Sequence, residues 1–269
     1  PAFPDELEDF LLGRVRSLLH VNDPVRVDRY LAILDADGQC YHEMSTADQT
    51  FTRMLVTLVW ANQSGTQPPS TYDEALKDLR SCPSFISELH QVFFYRLDQS
   101  RVTPVRISGP GEEVLFTHAD YSTAELTAAL RSAPLQKLLH LPREGVYYVK
   151  EAGVDLFFVT LVKKESDFSE STRYADYPIS RELFQWESQS TTKLSSKDGQ
   201  RYIHHEENGH SIYLCVRNTR VNAAGVASAF TLLGDVTHVR HSGEKPIRFE
   251  WRLNRPMPAQ LYELGRAAI

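Results

Sequence analysis

The chain has 269 residues, 42% of them hydrophobic and 24% charged. That balance describes a globular protein with a core of its own and excludes a disordered chain. The net charge of −6 is uneven: residues 1–140 carry −7, while residues 141–269 carry +1 together with five of the ten histidines. A generic DNA-coating protein would show a basic excess, and only the second half has cations enough to assemble a basic stripe.

Cys40, Cys82 and Cys215 are far apart and odd in number, with no Cys-x-x-Cys pair, so neither a zinc ribbon nor a disulfide framework is expected. No apolar run approaches the roughly 20 residues that span a bilayer. No membrane association is expected, and a reducing cytoplasm is the expected compartment. The start, Pro1-Ala-Phe-Pro-Asp-Glu, is acidic where a secretory signal would be basic, and reads as a cut inside a longer polypeptide.

The first hundred residues predict helices. Leu7, Phe10, Leu11, Val15, Leu18 and Leu19 recur at three- and four-residue spacing over Glu6 to His20. Asp23-Pro24 supplies an N-cap and a proline at the first helical position for a helix running to about Leu34. Asp37-Gly38 breaks it. Ser45 opens a third helix through Phe51, Met54, Leu55 and Leu58 to Trp60. Ser64 to Ser70 is a loop. Thr71 precedes a short helix, and Pro83 begins another through Phe85, Leu89 and Phe93. A helical bundle accounts for such regular spacing.

Val102 to Ile107 reads as a short strand, and Gly109-Pro-Gly111 as a turn. Ser122-Thr-Ala-Glu125 is a capping box ahead of Leu126 and Leu130. Residues 1–110 are thus expected to form a helical connector, 111–141 a linker with one short helix, and 142–269 a β-rich domain.

After Gly145 the texture becomes β-branched and aromatic. Val146 to Val149 and Leu156 to Val162 flank Gly153 as a hairpin would. Ile212 to Val216 is another short buried strand. Ile247, Phe249, Trp251 and Leu253 alternate with Arg248, Glu250, Arg252 and Asn254, which predicts a half-buried strand with a basic outer side. The fold class is therefore α+β, a helical bundle followed by a curled sheet or small barrel.

Several blocks resemble a known family: Tyr121-Ser-Thr-Ala-Glu-Leu, Glu144-Gly-Val-Tyr-Tyr-Val, Asp155-Leu-Phe-Phe-Val-Thr-Leu-Val-Lys, Tyr174-Ala-Asp-Tyr-Pro-Ile-Ser, Leu183-Phe-Gln-Trp-Glu-Ser-Gln-Ser, Gly199-Gln-Arg-Tyr-Ile and Pro246-Ile-Arg-Phe-Glu-Trp. They are similar to a domain of unknown function at the C-terminus of bacterial superfamily-2 (DEAD/DEAH-type) helicases. Such proteins often carry an N-terminal phospholipase-D-like nuclease and belong to restriction or phage defence. The resemblance implies DNA, the helicase core of the same polypeptide and a nuclease as partners. It implies no reaction. The chain lacks a P-loop, an Asp-Glu-x-His/Asp box and a His-x-Lys motif, so neither ATP hydrolysis nor that nuclease chemistry is expected in it, and no cofactor or catalytic residue is assigned.

The best candidate for a nucleic-acid site is Phe184, Trp186, Ser188 and Gln189, followed by Arg201 and Tyr202. On a strand, Phe184, Trp186 and Ser188 share one face. Aromatic plates would stack a modified or flipped base, with Gln189 and Arg201 reading its edge; alternatively the two rings are core. Arg248 and Arg252 are the strongest members of a phosphate-facing set that includes Arg217, Arg220, Arg240, Lys245 and Arg255, with His238 and His241 alongside; a solvated face is the alternative.

His204-His-Glu-Glu-Asn-Gly-His210 invites a metal reading, but Asn208-Gly209 is a hairpin-turn signal that places these histidines around an exposed turn. Asp155, Asp176, Glu182 and Glu187 with Lys163 or Lys164 have no convincing metal-nuclease spacing, and no metal site is assigned. The leading expectation is a non-catalytic DNA-binding accessory region. A protein-docking module stands second and a metal-dependent nuclease third.

Overall fold

The computed structural model describes residues 4–61, 67–100, 103–140, 145–162, 176–222 and 225–267. The chain divides into two compact units, Pro1–Arg106 with Gly111–Arg143, and Ile107–Pro110 with Glu144–Ile269.

The first unit is helical: α1 (Pro4–Arg14), α2 (Pro24–Asp35), α3 (Thr46–Trp60), α4 (Tyr72–Arg80) and α5 (Pro83–Gln99). The caps read from sequence are formed. The side chains of Asp23, Ser45 and Thr71 accept hydrogen bonds from the backbone N–H of Arg26, Asp48 and Glu74, each serving a donor that the first helical turn leaves unpaired. The carboxyl ends of α2 and α3 are met by arginines. Arg14 donates to the carbonyls of Leu58 and Val59 at the end of α3, and Arg80 donates twice to Ile33 O in the last turn of α2. A guanidinium there meets both the orphan carbonyls and the negative end of the helix dipole.

Two-residue strands β1 (Val105–Arg106) and β2 (Phe116–Thr117) pair antiparallel, and β3 (Asp120–Tyr121) leads into α6 (Thr123–Leu130) and the short α7 (Leu135–Leu138). The segment expected to be a linker is instead part of the helical unit. Helix α6 packs on α3, and all of its residues from Ala124 to Leu130 are buried. Its sequence, Thr-Ala-Glu-Leu-Thr-Ala-Ala-Leu, has no polar face to turn outward. The expected linker around His140 to Glu144 and the loop residues 64–66 lie largely outside the described residues.

The second unit is built on one mixed sheet: β4 (Val146–Val149), β5 (Val154–Thr160), β6 (Tyr177–Pro178), β7 (Leu183–Glu187), β8 (Ser211–Arg217), β9 (Phe230–Ser242) and β10 (Arg248–Leu253). The order across it is β4-β5-β8-β9-β10-β7-β6. Only β5 and β8 run parallel; the other neighbours are antiparallel. The protein is α+β with a mixed sheet, and no closed barrel is formed among the described residues.

Gly153, at φ 64°, makes the tight β4–β5 turn read from sequence. Helices α8 (Lys197–Ile203) and α9 (Ala259–Ala267) contribute Tyr202, Leu261 and Tyr262 to the sheet's main core cluster. Strand β9 carries two bulges. Leu233 is extra between the Leu214–Gly234 and Cys215–Leu232 pairs, and Val239 is extra between the Glu250–Arg240 and Trp251–His238 pairs. Each resets the side-chain alternation. Asn208-Gly209 is not a hairpin: Gly209, at φ 63°, closes the turn that follows α8, with His210 N–H donating to His205 O, and delivers the chain to β8.

Candidate functional site

Strand β7 presents Phe184 and Trp186 on one side, as the period of two requires. That side is the inner one. Phe184 is fully buried, Trp186 is 4% exposed, and Tyr202 from α8 is 4% exposed. The Trp186 indole lies against Phe157, with Tyr202 edge-on to both rings. The expected stacking platform is therefore core, because α8, the adjacent strand β10 and the more distant strand β5 supply its neighbours. No face of these rings is open to a base.

Ser188 is also fully buried. Its Oγ accepts from Ile247 N–H and its own N–H donates to Ile247 O, clipping the end of β7 to the residue before β10. Gln189 is half-buried just beyond, and its carbonyl accepts from Thr192 N–H.

Arg201 is engaged elsewhere. Its guanidinium forks onto Asp155, Nε to Oδ2 at 2.7 Å and Nη2 to Oδ1 at 3.0 Å, and pairs with Asp198 at 2.8 Å. His210 Nε2 approaches Asp155 Oδ2 at 2.9 Å. The Tyr148 ring lies 4.1 Å from the guanidinium carbon. Asp155 is fully buried, and this fork sets a guanidinium directly against it. The proposed edge-reader is thus a counter-ion to a buried carboxylate, which the sequence reading missed. The signal was a lone aspartate in an otherwise apolar strand, Val-Asp-Leu-Phe-Phe-Val.

A second cluster, in the helical unit, was also missed. Glu125 is fully buried and accepts from Arg26 Nη1 at 2.9 Å, from the Tyr30 hydroxyl at 3.0 Å and from Ser122 N–H at 2.8 Å, with His20 Nε2 at 2.5 Å. Burial alone would raise its carboxyl; the charges of His20 and Arg26 outweigh that and bring it down to about 2. Arg26 also sits 2.9 Å from Asp23 in an ion pair without hydrogen-bond alignment.

The basic outer side of β10 is present. Burial along Arg248–Leu253 alternates with every second residue inside, as the pattern predicts. Arg248 and Arg252 are exposed, and Arg240 on β9 shares their side through its pairing with Glu250. Arg248 pairs with Glu187 at 2.7 Å and Arg240 with Glu250 at 2.5 Å, whereas Arg252 has no ion-pair partner among the described residues.

His238 and His241 lie on the opposite side, over Phe249 and Trp251, with Nε2 and Nδ1 at 3.1 Å. The histidines of residues 204–210 do not converge. Among the described residues no group of three or more His, Cys, Asp or Glu is placed to hold a metal ion. Of the acidic set weighed for a nuclease, Asp176 accepts from Glu187 N–H and Asp155 is bound to Arg201 and His210, while Lys163 and Lys164 lie outside the described residues. An open cleft of about 390 Å³ in the helical unit is lined by Asp37, Cys40, Asp73, Lys77 and Arg80, and holds none of the expected site residues. No helix among the described residues is long and apolar enough to cross a membrane.

The geometry thus defines an α+β protein whose most deeply buried charges are largely paired internally. The chain belongs to the family described as a domain of unknown function (DUF3427), whose model matches residues 115–264. No curated protein matches the chain.

Proposed function

We propose that the chain is a non-catalytic accessory region of a DNA-processing, helicase-type protein, and that its second unit binds the DNA backbone through the outer side of β9 and β10. The observation that supports this is the alignment of Arg240, Arg248 and Arg252 on one solvent-facing side, with Arg252 lacking a carboxylate partner among the described residues. Arg240 and Arg248 are 74% and 63% exposed, so their guanidinium groups can meet a phosphate while they stay paired with Glu250 and Glu187, whose carboxylates are only 19% and 7% exposed. Contact is with phosphate and not with bases, because the aromatic rings of β7 are sealed in the core.

Fluorescence polarisation with duplex and single-stranded DNA across a salt series tests the reading. Three phosphate contacts give a slope of log K against log salt of about −3 on duplex, with little sequence preference, and Arg252→Gln lowers that slope by about 1. Absence of salt-sensitive binding to either form of DNA sinks it.

A second reading is docking onto the helicase core or a nuclease partner. It is favoured by Phe94 and Tyr95 on α5, adjacent aromatics that are 60% and 64% exposed in the acidic helical unit. Capture of an isolated helicase core by the chain, lost in the F94S/Y95S double variant, separates docking from DNA binding.

A further inference from the structure

The most deeply sequestered arginines have their charge answered. Arg26 and Arg201 are matched by carboxylates, and Arg14, Arg53 and Arg80 reach carbonyls in the last turns of helices. Arg217 is different. It ends β8 beside Thr160, the last residue of the parallel strand β5. Its Nε donates to Thr160 Oγ1 at 2.9 Å, its Nη1 donates to Ser228 O at 3.2 Å, and its guanidinium lies 4.3 Å from the centre of the Phe230 ring.

A hydroxyl, a carbonyl and a ring face orient the fork without neutralising it. No carboxylate among the described residues pairs with Arg217, and the charged neighbour that acts on it is a second cation, exposed Arg220. Burial, with Arg220 added, pushes the Arg217 guanidinium down to about 10, the mark of a cation held where its charge is unwelcome.

We infer that Arg217 and Arg220 form a seat for one phosphate group at the carboxyl end of β5 and β8. An oxyanion there supplies the countercharge that no carboxylate among the described residues gives Arg217, and engages the part of its fork that Thr160 and Ser228 leave over. This seat is separate from the Arg240–Arg248–Arg252 side and stands without it. The phosphate comes either from free inorganic phosphate or from a nucleic-acid terminus.

The full chain is titrated with inorganic phosphate against chloride at matched ionic strength, following 31P line width and thermal midpoint, and with a 5′-phosphorylated oligonucleotide against its unphosphorylated twin. Wild type, R217Q, R220Q and R252Q are compared. R220Q, at an exposed position, keeps the test valid if R217Q does not fold. The expected result is phosphate binding weakened about tenfold in R220Q and unchanged in R252Q. Preference for the 5′-phosphorylated strand, lost in R220Q without any binding of inorganic phosphate, also supports the seat and assigns the source as nucleic acid. If neither ligand shows a dependence on Arg217 or Arg220, the seat is overturned, even where R252Q shows that backbone DNA binding is real.

Discussion

The Trp186 indole lies nearly parallel to the Phe157 ring, with ring centroids 4.0 Å apart and planes 15° apart. Both rings belong to the core cluster beneath α8, so Trp186 is an element of stability. Trp186→Ala is expected to destabilise the second unit by about 3–5 kcal/mol, and Trp186→Phe by clearly less. Urea unfolding followed by circular dichroism measures this. Unchanged midpoints combined with a selective loss of DNA affinity would return Trp186 to a binding role.

The period of two correctly put Phe184 and Trp186 on one face, yet alternation says only which residues share a face. Which face is covered is decided by α8 and β5, elements from elsewhere in the chain. Strand β10 was readable because arginines mark its outer side and aromatics its inner side. The helix starts at Pro24, Thr46, Tyr72 and Thr123 were readable because a cap is a contact over three residues. Strand β9 was not, since its bulges at Leu233 and Val239 break the repeat that announces a strand. Nor were the partners of Asp155, which stand 46 and 55 residues further along the chain.

That carboxylate gives the second prediction. Removing its charge as Asp155→Asn leaves the Arg201 guanidinium, only 17% exposed, without its main counter-ion. The expected cost is about 3–5 kcal/mol, as for other broken buried pairs. The double variant D155L/R201M removes both charges and should recover much of the loss. Denaturant midpoints of the two variants decide the matter, and a D155N protein within about 0.5 kcal/mol of wild type would show that the fork contributes little.

Glu125 predicts an acid limb for the helical unit. Its folded value, near 2, lies below the ordinary 4.5, so the folded state binds its proton less readily than the unfolded chain does. Stability from this group is therefore complete above about 4.5 and is lost as the pH falls toward 2. Thermal midpoints measured from pH 5 to pH 2 should fall through that window in wild type. Glu125→Gln should start lower and fall less steeply; parallel curves would mean that other carboxylates govern the acid limb.

The tightest backbone approach in the second unit is at Gly199, in the first turn of α8. A methyl group there would lie 2.2 Å from Lys193 O and 3.1 Å from Leu194 O, while Gly199 N–H already donates to the Ser196 cap. Carbonyls of the preceding loop cannot swing aside as a side-chain tip can, so accommodating alanine means moving the loop or the helix start. Helix α8 carries Tyr202 against Phe157 and Trp186 and Arg201 against Asp155, so a displaced first turn loosens both the aromatic cluster and the ion pair. Gly199→Ala is expected to cost about 1–3 kcal/mol even though alanine is the better helix former. The check is the urea midpoint together with near-ultraviolet circular dichroism, where the signal of the packed Trp186 should weaken. A variant as stable as wild type would show that the Lys193–Ser196 loop yields freely and that α8 is not held in place by it.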